Sequence, residues 1–329
     1  MFFLNASELT LRGVAIDFTV PTQDFVASKW SVFEATGASA LTLSDSTATV
    51  CNAPGEAFSA PLHSNVAIFR STFETSTLDE LERGAAEAER GAPSVRLDGV
   101  FARGEAALFA TNGVGDFWEA RRCAFNVSGP LFWANAEEGT TATATANANV
   151  RERSTLTFDR VVVAGRSALA NWGERADDAD LTRLDVSLTN SAIWLDGAPL
   201  ATVSTTRERE TNPATNAWNL AGSLLLDAEP ALRARARQTA TTRDWPLAFD
   251  SPPNASAKLN DLNADAVARL SETPPHRFAL TDFGRWILAP AQTSSALDAK
   301  TRELAGEIKA TVVEGEPQEA SGENRASTL

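Results

Sequence analysis

Asp177-Asp178-Ala179-Asp180 places three carboxylates within four residues, and hard oxygen ligands at that density make a candidate Ca2+ site. Asp116 and Glu137-Glu138 border the same side. The competing reading is a solvated acidic loop, because no Gly-rich calcium repeat surrounds the cluster. A second group is aromatic. Trp133 and Trp172 follow Leu131 and Leu169 at similar offsets, with Asn135 and Asn171 beside them. Indole faces stack on apolar sugar faces, and amides hydrogen-bond hydroxyls. Trp133, Asn135, Asn171 and Trp172 are therefore the candidate ligand-binding rim, against a competing reading as aromatics that plug an edge or pack under a loop. His63 and His276 are the only histidines and stand far apart. No partner spacing supports a metal site or a Ser-His-Asp triad on either. Cys51 and Cys123 are too few for a disulfide framework and lack metal spacing, so they read as two separately packed thiols. No set of residues reads as catalytic. Apart from Ca2+ at the aspartates, no cofactor is implied.

Charge narrows the partners. Lys and Arg number 29 against 43 Asp and Glu, a net charge of −14 over 329 residues. Nucleic acid needs a basic footprint, and an anionic membrane surface needs the same. Neither is expected to bind. Polyanionic sugars would be repelled unless a cation or a local basic patch intervened. Apolar residues make up 43% of the chain, enough for a sizeable core. No run of 18 apolar residues offers a membrane span, and Met1-Phe2-Phe3-Leu4 has no basic region of the kind that opens a signal peptide.

The elements that must position these residues come from an internal repeat. Its pattern is apolar, any, apolar, two residues, small or apolar, any, apolar. It reads Leu9, Leu11, Val14, Ile16, then Leu41, Leu43, Ser46, Ala48, then Val66, Ile68, Ser71, Phe73. It continues from Val95, Trp118, Leu156, Val186 and Trp218. The residues between the first two apolar positions are Thr10, Thr42, Ala67, Arg96, Glu119, Thr157, Ser187 and Asn219, so alternation has the period of a strand with one face inward. The corner that follows carries Gly13, Asp45, Arg70, Gly99, Arg122, Arg160, Asn190 or Gly222. Gly, Asn and Asp suit a left-handed bend, whereas the three arginines depart from that preference. A third strand is marked by Leu108, Leu131, Leu169 and Leu200. Three strands per coil give three parallel sheets, and like side chains stack along the axis into one core.

Ser64-Asn65-Val66-Ala67-Ile68-Phe69-Arg70-Ser71-Thr72-Phe73 and Leu9-Thr10-Leu11-Arg12-Gly13-Val14-Ala15-Ile16 resemble coils of the pectin-lyase-like superfamily. The resemblance is strongest to β-helix regions of bacterial surface and multidomain proteins, some with a serine/threonine kinase domain upstream, and it covers roughly residues 5 to 228. It implies a right-handed β-helix and is nearly silent about function. Enzymes of that superfamily work on one sheet face, with an arginine or lysine base and acidic calcium ligands, or with aspartates as acid and base. If the third strand forms that face, its expected outward residues are Ala107, Phe109, Pro130, Phe132, Ala168 and Ala170, with no carboxylate or cation. The galacturonase pairing of aspartates with Gly-His-Gly is missing from the chain, as is the Trp-Ile-Asp-His run of pectate lyases.

The expected fold is all-β: a right-handed single-stranded parallel β-helix of about eight coils and three parallel sheets over residues 1–228. It lacks room for an N-terminal cap before Leu9, which predicts attachment to further domains of a longer protein. Residues 229–291 read as a helical and irregular cap. There Leu259, Leu262, Val267 and Leu270 form an amphipathic helix that, with Phe278, Phe283, Trp286 and Ile287, folds over the open end. Residues 292–329 read as a mostly disordered acidic tail with one helical stretch. The expected function is a non-catalytic module of a larger bacterial extracytoplasmic protein. It would recognise a glycan, a cell-envelope component or a protein, or serve as a rigid spacer. The alternative is a carbohydrate-active enzyme, a polysaccharide lyase or glycoside hydrolase.

Overall fold

The structure, a computed structural model, describes residues 1–20, 30–52, 66–72, 93–111, 116–134, 154–175, 184–205, 217–236, 242–257, 269–270, 272–288, 299, 302–303 and 305–306. Within them the chain winds as a right-handed parallel β-helix with three sheets of seven, eight and nine strands. Sheet I takes the first strand of each coil: Glu8–Arg12, Ala40–Ser44, Ser94–Asp98, Phe117–Arg121, Ser154–Asp159, Leu184–Thr189 and Trp218–Asn219. Sheet II takes the second: Ala15–Thr19, Thr47–Cys51, Phe101–Gly104, Ala124–Val127, Val162–Gly165, Ala192–Trp194, Leu224–Leu226 and Ala255–Ala257. Sheet III runs through Phe2–Asn5, Trp30–Thr36, Val66–Thr72, Ala107–Thr111, Phe132–Ala134, Ala170–Arg175, Pro199–Thr205 and Glu229–Ala236. Thr242–Pro246 then turns back antiparallel on Glu229–Ala236 and ends that sheet.

Alternation in sheet I sorts the chain as expected. Leu11, Leu43, Leu97, Ala120, Phe158 and Leu188 lie one rung apart in a single internal file. Leu43, Leu97, Ala120, Phe158 and Leu188 are at most 1% exposed. Complete burial of one such Leu or Phe contributes roughly 1.5–3 kcal/mol. A second internal file, in sheet III, stacks Phe2, Phe33, Phe69 and Phe109 at centroid spacings of 5.0, 5.4 and 5.5 Å.

The bend between sheets I and II is left-handed at each turn. Gly13, Asp45, Gly99, Arg122, Arg160, Asn190 and Gly222 all have φ between 47° and 73°. Two of the arginines expected to misfit do adopt this conformation. Arg122 is held there by a two-pronged bond to Asp98 of the preceding coil, at 2.8 and 2.6 Å. The residue after the bend forms a second ladder. Ser46 Oγ accepts from Val14 N at 3.1 Å, Cys123 Sγ from Val100 N at 3.4 Å, and Ser191 Oγ from Val161 N at 3.1 Å. A hydroxyl or thiol thus satisfies a backbone donor that the bend removes from the sheet.

Three expectations are corrected. The repeat copy at Val66 is not a first strand: Val66–Thr72 pairs with Trp30–Thr36 and Ala107–Thr111 in sheet III, and Arg70 is not at a left-handed bend. The pattern matched there because third strands carry two adjacent inward residues, such as Ile68-Phe69 and Leu108-Phe109. For the same reason Phe109, Phe132 and Ala170 point into the core and not outward. Lastly, Leu270, Phe278, Phe283 and Ile287 do not cover an end of the helix. They pack on the outer face of sheet II, against Phe101, Ala124, Val162, Ala164, Ala192, Trp194, Leu224 and Leu226. This strap is pinned by two cations of sheet II coils. Arg103 donates to the Phe278 carbonyl, and Arg166 to the carbonyls of Leu270 and Thr273. Of the expected helix, residues 258–268 lie outside the described residues, as does the acidic tail from 307 onward.

Candidate functional site

With its inward positions fixed, sheet III presents one continuous outward file. Phe3 pairs with Glu34, Glu34 with Arg70, Arg70 with Ala110, Ala110 with Trp133, Trp133 with Asn171, Asn171 with Thr202, and Thr202 with Arg233. Successive members sit about 4.8 Å apart, the spacing of hydrogen-bonded strands. The expected outward column contained no charge, whereas this one holds a carboxylate and two guanidinium groups. The Ser31 hydroxyl donates to Glu34 Oε2 at 3.1 Å and orients it. Arg70 is only 4% exposed. Burial lowers its pKa from the ordinary arginine value, and the facing Glu34 carboxylate opposes that shift. Arg233 is fixed by Asp244 at 3.0 Å and Glu229 at 2.7 Å.

The Trp133 ring packs on the methyl groups of Ala67, Ala107 and Ala110 and stays partly exposed. On the next rung stands Asn171, whose Oδ1 is buried and has no hydrogen-bond partner among the described residues. Trp133 and Asn171, both expected at the ligand rim, are therefore adjacent. Trp172 is not with them. It pairs with Ala134, points inward and is 1% exposed. Trp133 lies two residues after Leu131 but Trp172 three after Leu169, and in a strand that single residue reverses the face. Asn135, Asp177, Asp178, Asp180, Glu137, Glu138 and His63 lie outside the described residues. Asp116, expected at the border of a Ca2+ site, is buried and bonded to the Thr111 hydroxyl, which in turn accepts from Ser71 Oγ at 2.9 Å.

Two further groups were not foreseen. The outer face of sheet II is mostly apolar from Phe101 onward, with Arg103 and Asn126 as its polar members, and runs such as Val161-Val162-Val163-Ala164 and Leu224-Leu225-Leu226 signal strands covered on both faces. His276 sits on the 3-10 turn of the strap, Pro275–Arg277, with its Nδ1 2.7 Å from Glu105 Oε1. Nothing in the spacing of His276 and Glu105 reveals that contact, because 171 residues separate them.

The chain matches no family model, no curated protein and no solved structure. The architecture and the files of side chains on its faces are therefore what speak for its role.

Proposed function

We propose that the chain is a non-catalytic β-helix module that binds a neutral glycan along the outer file of sheet III, as one part of a larger bacterial protein acting outside the cytoplasm. The observation that carries this reading is the register of Glu34, Arg70, Ala110, Trp133, Asn171 and Thr202 on consecutive rungs. An extended polymer lying parallel to the solenoid axis would meet the partly exposed Trp133, Asn171 and Thr202 on three consecutive rungs. Trp133 offers a stacking face, Asn171 an amide, Thr202 a hydroxyl and Glu34 a carboxylate, while Arg70 lies buried beneath the surface of the file. A net charge of −14 disfavours acidic sugars and leaves neutral ones. A pectin-lyase-like ancestry fits the same scaffold, on which sites of many kinds are carried.

The test is binding to an array of neutral oligosaccharides by the intact chain and three variants. Trp133→Ala should weaken binding about tenfold or more, as loss of an aromatic anchor does. Asn171→Ala should weaken it less, and Thr42→Ala on the outer face of sheet I should leave it unchanged. All three should melt within a few degrees of the parent. Equal binding by the parent and both sheet III variants would remove the site. Release of reducing ends or unsaturated products from a bound polysaccharide would replace the reading with an enzymatic one.

A further inference from the structure

Cys51, Glu105 and His276 come from three separated parts of the chain and converge where the strap crosses sheet II. One donor atom from each lies within 4.8 Å of the other two. Cys51 ends the strand Thr47–Cys51, and Glu105 directly follows the neighbouring strand Phe101–Gly104. The Glu105 amide donates to the Val50 carbonyl at 3.2 Å, so the thiol and the carboxylate stand on adjacent rungs. Gly104 makes this turn possible. Its φ is +136°, and a Cβ there would lie 2.0 Å from the Val50 carbonyl oxygen. His276 is delivered from the opposite side by the strap.

We propose that these three residues bind one Zn2+ ion, which clamps the strap to the solenoid. Thiolate, imidazole and carboxylate together form the donor set of a borderline-soft ion and not of Ca2+ or Mg2+. Zn–S is about 2.3 Å, and Zn–N and Zn–O are about 2.0–2.2 Å, so donors at tetrahedral angles around one ion stand about 3.3–3.7 Å apart. The three donor atoms, within 4.8 Å of one another, need to close by about 1 Å to reach that spacing. Three protein ligands leave the fourth tetrahedral position to water. The Glu105 side chain is fully buried, at 0% exposure. It is already oriented by the Asn52 amide at 3.2 Å and the His276 amide at 3.4 Å, as supporting bonds orient a ligating carboxylate. A divalent ion would balance the thiolate and carboxylate charges, and a buried carboxylate needs such a partner. On binding, the Cys51 thiol loses its proton to solvent, and the ion replaces the Glu105–His276 hydrogen bond. The second thiol is unsuited to metal. Cys123 is fully buried in the corner ladder, and burial pushes it up to about 12.

The experiment uses the whole chain freed of metal by chelation. Co2+, a spectroscopic stand-in for Zn2+, should give a thiolate-to-cobalt band in the near ultraviolet that saturates at one equivalent and is removed by one equivalent of Zn2+. Zn2+ alone should protect Cys51 from a thiol reagent and raise the melting temperature. Cys51→Ser should abolish the cobalt band, and His276→Ala should weaken Zn2+ binding about tenfold or more. No band and no thiol protection in the parent chain would overturn the proposal, and that result does not depend on whether either variant folds. A band that survives Cys51→Ser would overturn it as well, as would Zn2+ affinity unchanged by His276→Ala. Glycan binding by the sheet III face is read separately and is independent of every one of these outcomes.

Discussion

Cys123 shows how a single side chain is fixed by its place in a ladder. Its sulfur accepts from Val100 N and donates to the Arg121 carbonyl at 3.0 Å, the same two bonds that Ser191, two coils further on, makes with the Val161 amide and the Thr189 carbonyl. Cys123→Ser therefore keeps both bonds and should shift urea-unfolding stability by less than about 1 kcal/mol. Cys123→Ala leaves the Val100 donor buried without a partner, and should cost about 1–3 kcal/mol in the same measurement. Burial also favours the protonated thiol in the folded state. Its pKa is raised from 9.0 to about 12, so stability is fully present below about pH 9 and declines as pH rises toward about 12. Denaturation midpoints followed over that window should show this decline in the parent chain and a shallower one in Cys123→Ser.

At the same scale, the sequence displayed which residues alternate but not which bonds they make. Thr10, Thr42, Arg96, Glu119, Thr157, Ser187 and Asn219 were legible as one outward file because strand alternation in sheet I is unbroken. In sheet III alternation breaks at the pair Leu131-Phe132, where the first residue turns a corner and the second begins the strand. That break hid the parity of Trp133 and Trp172, and with it the true outward file. The pairing of Glu34 with Arg70 became visible only when Val66–Thr72 moved to sheet III.

Among elements, the strap and the bends are the parts whose failure should be most informative. Arg166 is half-buried, and that burial lowers its pKa from the ordinary arginine value. Its charge is solvated by strap carbonyls, at 2.5 Å from that of Thr273. Arg166→Met should cost about 2–3 kcal/mol, the worth of hydrogen bonds to a charged donor. Amides of residues 272–288 should then exchange hydrogen faster than those of sheet I. Equal protection of the strap in parent and variant would count against the pinning role. At Gly104 the backbone conformation and the Val50 carbonyl both exclude a side chain, so Gly104→Ala should cost at least about 2 kcal/mol by thermal melting. Each coil strand was legible from its period. The strap was not, because its anchoring contacts join residues 104 to 175 apart and follow no period.

For the whole molecule, a solenoid is held mainly by contacts between neighbouring coils, so its stability is close to a sum over rungs. The strap changes that accounting in one region. Its apolar residues span the rungs from Phe101 to Leu226 and bind several of them to one element. The earlier rungs present Ala15, Asp17, Thr47 and Thr49 at the same outward positions, and none of these joins the apolar cluster under the strap. The strap therefore acts as a splint on part of a rod. Pulled lengthwise between its two ends, the molecule should yield in two stages, with the unsplinted turns peeling away one by one at low force. The splinted block should hold until the strap tears free and then give way in a single event.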